Sequence, residues 1–120
     1  MSAFDSQALD AIAFQLVAAL ERYEAHTEVL LRAWPDMERY REVSGGIDTI
    51  RLYCAALPTL SVQFVGLLIA HAELIHCLWK KTNTPAAGND VERAAEQHSG
   101  GISALRNKAL RLMGSASLRH

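Results

Sequence analysis

The stretch Leu57–Trp79, LPTLSVQFVGLLIAHAELIHCLW, constrains the fold most, because apolar side chains fall on more than one side of any helix built from it. Leu60, Phe64, Leu67, His71, Leu74 and Leu78 follow the 4,3,4,3,4 spacing of a seam that faces a partner helix. Val62, Val65, Ile69, Ala72, His76 and Trp79 form a second row of the same kind on a different side. One row is enough to place a helix in a core. A second row requires a second partner, so this is either the most buried helix of its domain or one that also faces another subunit. The expectation is a homodimer, with the second row as interface.

The stretch also approaches the length of a membrane span, at 23 residues against the roughly 20 that cross a bilayer. Its ionisable side chains are His71, Glu73 and His76, and Pro58, Thr59, Ser61 and Gln63 dilute the apolar run further. A central carboxylate is costly to insert into lipid. A buried helix is therefore expected, with no membrane partner.

A chain of 120 residues suits one domain with a single core, spanning residues 1–120. Half of the residues are hydrophobic, 21% are charged and the net charge is −1, which excludes a disordered polyelectrolyte or a collagen-like fibre. So balanced a charge argues against strong nonspecific nucleic-acid binding but leaves room for a local patch. Cys54 and Cys77 both sit in apolar helical pattern, where a free thiol behaves as a small hydrophobe. The first residues, MSAFDSQALD, do not read as a secretory signal. Reduced thiols in a cytoplasmic protein are expected, and neither Cys-x-x-Cys nor a zinc spacing is present.

Periodicity extends over most of the chain. Leu9, Ala13, Leu16, Leu20, Tyr23, Thr27, Leu30 and Trp34 keep one phase, with Asp5 or Ser6 as N-cap and Pro35 as stop. Tyr40, Val43, Ile47, Ile50, Cys54 and Leu57 follow, with Pro35 fitting the first helical position. After the central stretch comes TNTPAAGND, which has the composition of a loop. Asn89 or Asp90 then caps a helix carrying Val91, Ala95, His98, Ile102, Leu105, Ala109 and Leu112, with Gly114 as its C-terminal stop. The expected fold class is all-α, most simply an up-down-up-down four-helix bundle. Its helices fall near 5–34, 36–57, 58–81 and 90–113, with a loop at 82–89 and a frayed tail at 115–120.

Two features leave the boundaries open. Pro35 and Pro58 leave hardly any loop between helices, so they either kink or break the path. Ser44-Gly45-Gly46-Ile47 recurs as Ser99-Gly100-Gly101-Ile102, and each is followed by an arginine, Arg51 and Arg106. In a bundle of this topology both pairs lie at one level, where small residues let backbones approach. The alternative is that each Ser-Gly-Gly is a turn. The flanking residues match poorly, so the shared tetrapeptide is weak evidence of a repeat.

Chemistry-bearing constellations are few. Glu73-x-x-His76 has the spacing used by carboxylate-bridged di-metal bundles, and His71 stands close by. That architecture needs a second such pair. Neither Glu21, Glu24, His26 and Glu28 nor Glu92, Glu96 and His98 supplies one, and the histidine pairs of a haemerythrin-type oxygen site are missing. His71, Glu73 and His76 therefore remain a minor candidate for metal, and pairing of Glu73 and His76 with each other or with an arginine across an interface is preferred. No Gly-x-Ser-x-Gly elbow, activated cysteine or P-loop is present, so no catalytic residue and no cofactor are assigned. Arg106, Lys108, Arg111 and Arg119 make a basic C-terminal region that could contact phosphate. The functional expectation is a non-enzymatic, self-associating interaction or regulatory module. The rival readings are a metal-binding bundle and a DNA-binding regulator.

Overall fold

The computed structural model describes residues 3–84 and 88–118. Helix α1 spans Ala3–Ala33 and α2 spans Met37–Ala55. A short 3-10 turn at Pro58–Leu60 leads into α3, Ser61–Asn83, and α4 spans Gly88–Leu118. The helices form an up-down-up-down bundle with extents of 55 × 24 × 18 Å, and no strand occurs among the described residues. Helix α1 packs closely on α2 and α4, and α3 packs closely on α4. Helices α2 and α3 are the loosely packed pair.

The seams read from the sequence are the core. Leu16, Leu20, Tyr23 and Leu30 of α1 meet Val43, Ile47 and Ile50 of α2, Leu67, Leu74 and Leu78 of α3, and Ile102, Leu105 and Ala109 of α4. Each large aliphatic side chain buried this way contributes about 1.5–3 kcal/mol relative to exposure. Tyr40, Phe64, Val91 and Leu112 continue the seams as partly buried positions toward the ends.

Both proline joints separate helices rather than kinking one. Helix α1 ends at Ala33, the Trp34–Pro35 peptide is cis, and Asp36 caps α2. The Asp36 carboxylate accepts from the backbone N–H groups of Glu38 at 3.0 Å and Arg39 at 3.4 Å. Pro35 thus precedes the cap instead of opening α2, because an aspartate can satisfy free amides and proline cannot. Pro58 opens the 3-10 turn, where a missing N–H costs nothing.

The glycine pairs are not turns. Helices α2 and α4 run unbroken through Gly45-Gly46 and Gly100-Gly101. A Cβ on Gly46 would lie 3.0 Å from Cδ1 and 3.4 Å from Cβ of Tyr23, and one on Gly101 would lie 3.5 Å from Cα of Leu67. The second glycine of each pair therefore marks a close helix approach, α2 on α1 and α4 on α3.

Several expected termini move. Helix α1 starts at Ala3, upstream of Asp5 and Ser6, and α4 starts at Gly88, which places Asn89 and Asp90 inside its first turn. Helix α3 continues to Asn83, and α4 passes Gly114 to Leu118. Among the described residues no glycine adopts positive φ, so Gly114 does not form the left-handed cap that ends many helices. Without that cap, Ser115 to Leu118 extend the helix where a frayed tail was expected.

Candidate functional site

All six side chains of the second α3 row are exposed: Val62, Val65, Ile69, Ala72, His76 and Trp79. Val62 is 75% exposed and Ile69 66%, which are high values for β-branched aliphatic residues. Trp79 is held in place at the end of the row. Its ring meets Trp34 edge-on with centroids 4.8 Å apart and Tyr40 of α2 at 6.5 Å. The Trp34 indole N–H donates to Thr82 Oγ1 at 2.8 Å, so the aromatic cluster ties the α1–α2 joint to the last turn of α3. Through Trp79 the row reaches the flank where α3 packs loosely on α2.

The minor metal candidates do not converge. His71 turns into the core, whereas Glu73 and His76 are exposed. Glu73 accepts from the Cys77 thiol at 3.6 Å. Glu73, His76, Cys77 and Lys80 instead line a groove shared with Asp90, Arg93, Ala94 and Gln97 of α4, bridged by Lys80 and Asp90 at 3.4 Å. Among the described residues no group of three or more His, Cys, Asp or Glu side chains is arranged to hold a metal ion. Both thiols are free and buried. Burial pushes the Cys54 thiol up to about 11, and burial together with the Glu73 carboxylate raises that of Cys77, so neither is a ready thiolate.

The strongest polar constellation lies inside the bundle. Tyr23 Oη stands 2.6 Å from His71 Nδ1 and 2.6 Å from His98 Nε2, joining α1, α3 and α4. A phenol carries one proton, so it donates to one ring nitrogen and accepts an N–H from the other. Two proton arrangements satisfy this, with the histidine tautomers exchanged. Burial raises the Tyr23 phenol above its ordinary value. Burial lowers His71, opposed by the Asp48 carboxylate, and brings His98 down to about 4 with a further push from His71. The cluster is therefore neutral at pH 7, as three polar groups in an apolar core must be. Each residue was legible as a seam position. What joins them is the level that the hairpins impose, one turn from Leu67 and next to both glycine pairs.

The basic C-terminal region is partly committed within the bundle. Arg106 pairs with Glu24 of α1 at 3.6 Å, while Lys108 is half-buried and Arg111 exposed. Arg119 lies outside the described residues.

Fold and site together define a small four-helix bundle with an apolar outer face on one helix and a neutral tyrosine–histidine cluster at its centre. Compared with protein-family models, curated proteins and solved structures, the chain matches none.

Proposed function

We propose that this protein is a non-enzymatic interaction module that self-associates as a homodimer through the outer row of α3. The observation that carries the reading is the exposure of that row in a helix whose other seam is already filled by its own bundle. Leu60, Leu67, Leu74 and Leu78 are buried without any partner chain, so the outer row is not a core left unfinished. Contiguous apolar surface of this kind marks a binding face. Covering it returns about 25 cal/mol per Å² of apolar area, set against an association cost of about 4–15 kcal/mol. The free thiols of Cys54 and Cys77 fit the reducing cytoplasmic setting that the reading includes.

Analytical ultracentrifugation tests it. The expected result is a dimer that dissociates on dilution and becomes a monomer in Ile69→Glu, with an unchanged helical circular dichroism spectrum. A wild-type chain that stays monomeric at high concentration overturns the proposal.

A further inference from the structure

We infer that the bundle is built to open in acid, its α1–α2 and α3–α4 hairpins parting about the elbow at Ala56–Leu57 when His71 and His98, which both face Tyr23 across the boundary, take up protons. The device lies within a single chain and does not depend on self-association.

The packing divides the molecule in two. Helix α1 packs closely on α2 and α3 closely on α4, and between these hairpins α1 lies on α4 while α2 and α3 barely meet. The chain crosses once, between the end of α2 and the 3-10 turn. At the middle of the boundary Tyr23 Oη of one hairpin holds His71 Nδ1 and His98 Nε2 of the other, each at 2.6 Å. Among the described residues the other side-chain polar links across it are Trp34 to Thr82 at 2.8 Å and Arg106 to Glu24 at 3.6 Å, both reached by water.

The cluster has room for one further proton. A charged ring donates to Oη, and the phenol hydrogen turns to the other ring. Burial disfavours charge on either ring, and at His71 the Asp48 carboxylate of α2 opposes it, which makes His71 the first to charge. A second proton has no such place. It sets two cationic rings, with centroids 6.4 Å apart, against an oxygen whose own hydrogen has lost both acceptors. Glu24 and Glu28 of α1 line the groove over His98, but Glu24 is engaged by Arg106, and the 3-10 turn carries no ionisable residue. In the closed bundle burial and His71 hold His98 down to about 4, against 6.5 for a free imidazole. The open form therefore takes up protons first, and opening gains as the pH falls below 6.5.

A nuclear magnetic resonance titration from pH 7 to 4 tests this, because contacts within and between the hairpins both have reporters. The Tyr23 ring lies against Gly46 inside one hairpin, and Leu67 against Gly101 inside the other. Trp34 and Trp79 meet across the boundary with centroids 4.8 Å apart. The expected result is loss of the Tyr23–His98 and Trp34–Trp79 Overhauser contacts in step with charging of the His71 and His98 rings, while the Tyr23–Gly46 and Leu67–Gly101 contacts persist. The double variant His71→Asn/His98→Gln, whose amides replace the bonding nitrogens and do not titrate, should stay closed to pH 4. Simultaneous loss of all four contacts is global unfolding and overturns the inference, as does charging of both rings with the Trp34–Trp79 contact intact. A wild-type cluster that stays neutral and closed to pH 4 overturns it too, and so does a double variant that opens at the wild-type pH. If the double variant does not fold at pH 7, the wild-type titration decides alone.

Discussion

In α1 the positions that point away from the bundle include Glu21, Ala25, Glu28 and Arg32. In α3 the corresponding positions are Val65, Ile69, Ala72 and His76, and all eight are exposed. The inward seams of the two helices match step for step, Leu16, Leu20, Tyr23, Thr27 and Leu30 against Leu60, Phe64, Leu67, His71 and Leu74. Helix α1 shows that this bundle accepts a charged outer face on a long helix. The apolar outer row of α3 is therefore not demanded by folding of the monomer, and it costs solubility unless something covers it. The comparison separates what the core requires from what a partner requires.

Equivalent seam positions should respond alike, and they carry the largest effects. Leu20→Ala and Leu74→Ala each remove a fully packed side chain and should cost about 2–5 kcal/mol in urea denaturation. Strongly unequal losses would break the parallel between the two helices.

The next effect comes from the cluster that links the seams. Tyr23→Phe leaves one buried and one half-buried ring nitrogen without their shared partner and should cost about 2 kcal/mol. The same cluster makes stability depend on pH. His98 titrates near 4 in the folded chain and near 6.5 when unfolded, so the unfolded chain takes up the proton first as the pH falls. Its contribution is complete above pH 6.5 and is lost as the pH drops toward 4. His98→Gln should flatten that part of the stability profile measured by thermal melting.

Smaller effects separate the two members of a glycine pair. Gly45→Ala has nothing within 4 Å of the added methyl group and should gain about 1 kcal/mol from helix propensity. Gly46→Ala meets the Tyr23 ring at 3.0 Å, and the two histidines prevent that ring from yielding. It should lower the melting temperature where Gly45→Ala raises it.

The smallest effects on monomer stability belong to the outer faces themselves. Ala25→Glu and Ile69→Glu should each change the unfolding free energy of the monomer by about 0.5 kcal/mol or less. Their difference appears only in association, where Ile69→Glu abolishes dimerisation and Ala25→Glu leaves it intact in sedimentation. Equal behaviour in that assay would erase the distinction between the two faces.

Much of this was legible along the chain because the helical period is local. The seam from Leu9 to Trp34 and that from Leu60 to Leu78 follow from side-chain spacing alone, and so does the surplus apolar row beside the second. Boundaries were less legible. Asp36 outcompetes Pro35 at the start of α2 through two side-chain hydrogen bonds, and Gly114 fails to end α4 because its φ remains negative. The Glu73-x-x-His76 spacing carries a shared ligand only as a minor candidate, and where these side chains go is not local either: Glu73 accepts from Cys77, while His71, which stands beside the pair in sequence, points into the core.

The sequence by itself determined the fold class, the four seams and which helix carries two apolar rows, since each depends on residues a few positions apart. Tertiary structure decided that Gly46 and Gly101 mark close approaches rather than turns. It also decided that Tyr23, His71 and His98 form one neutral cluster. His71 and His98 lie 48 and 75 residues beyond Tyr23 along the chain, and only the register between the helices of the bundle sets the three at a common level. That register is fixed by packing across the whole bundle, which no local period encodes.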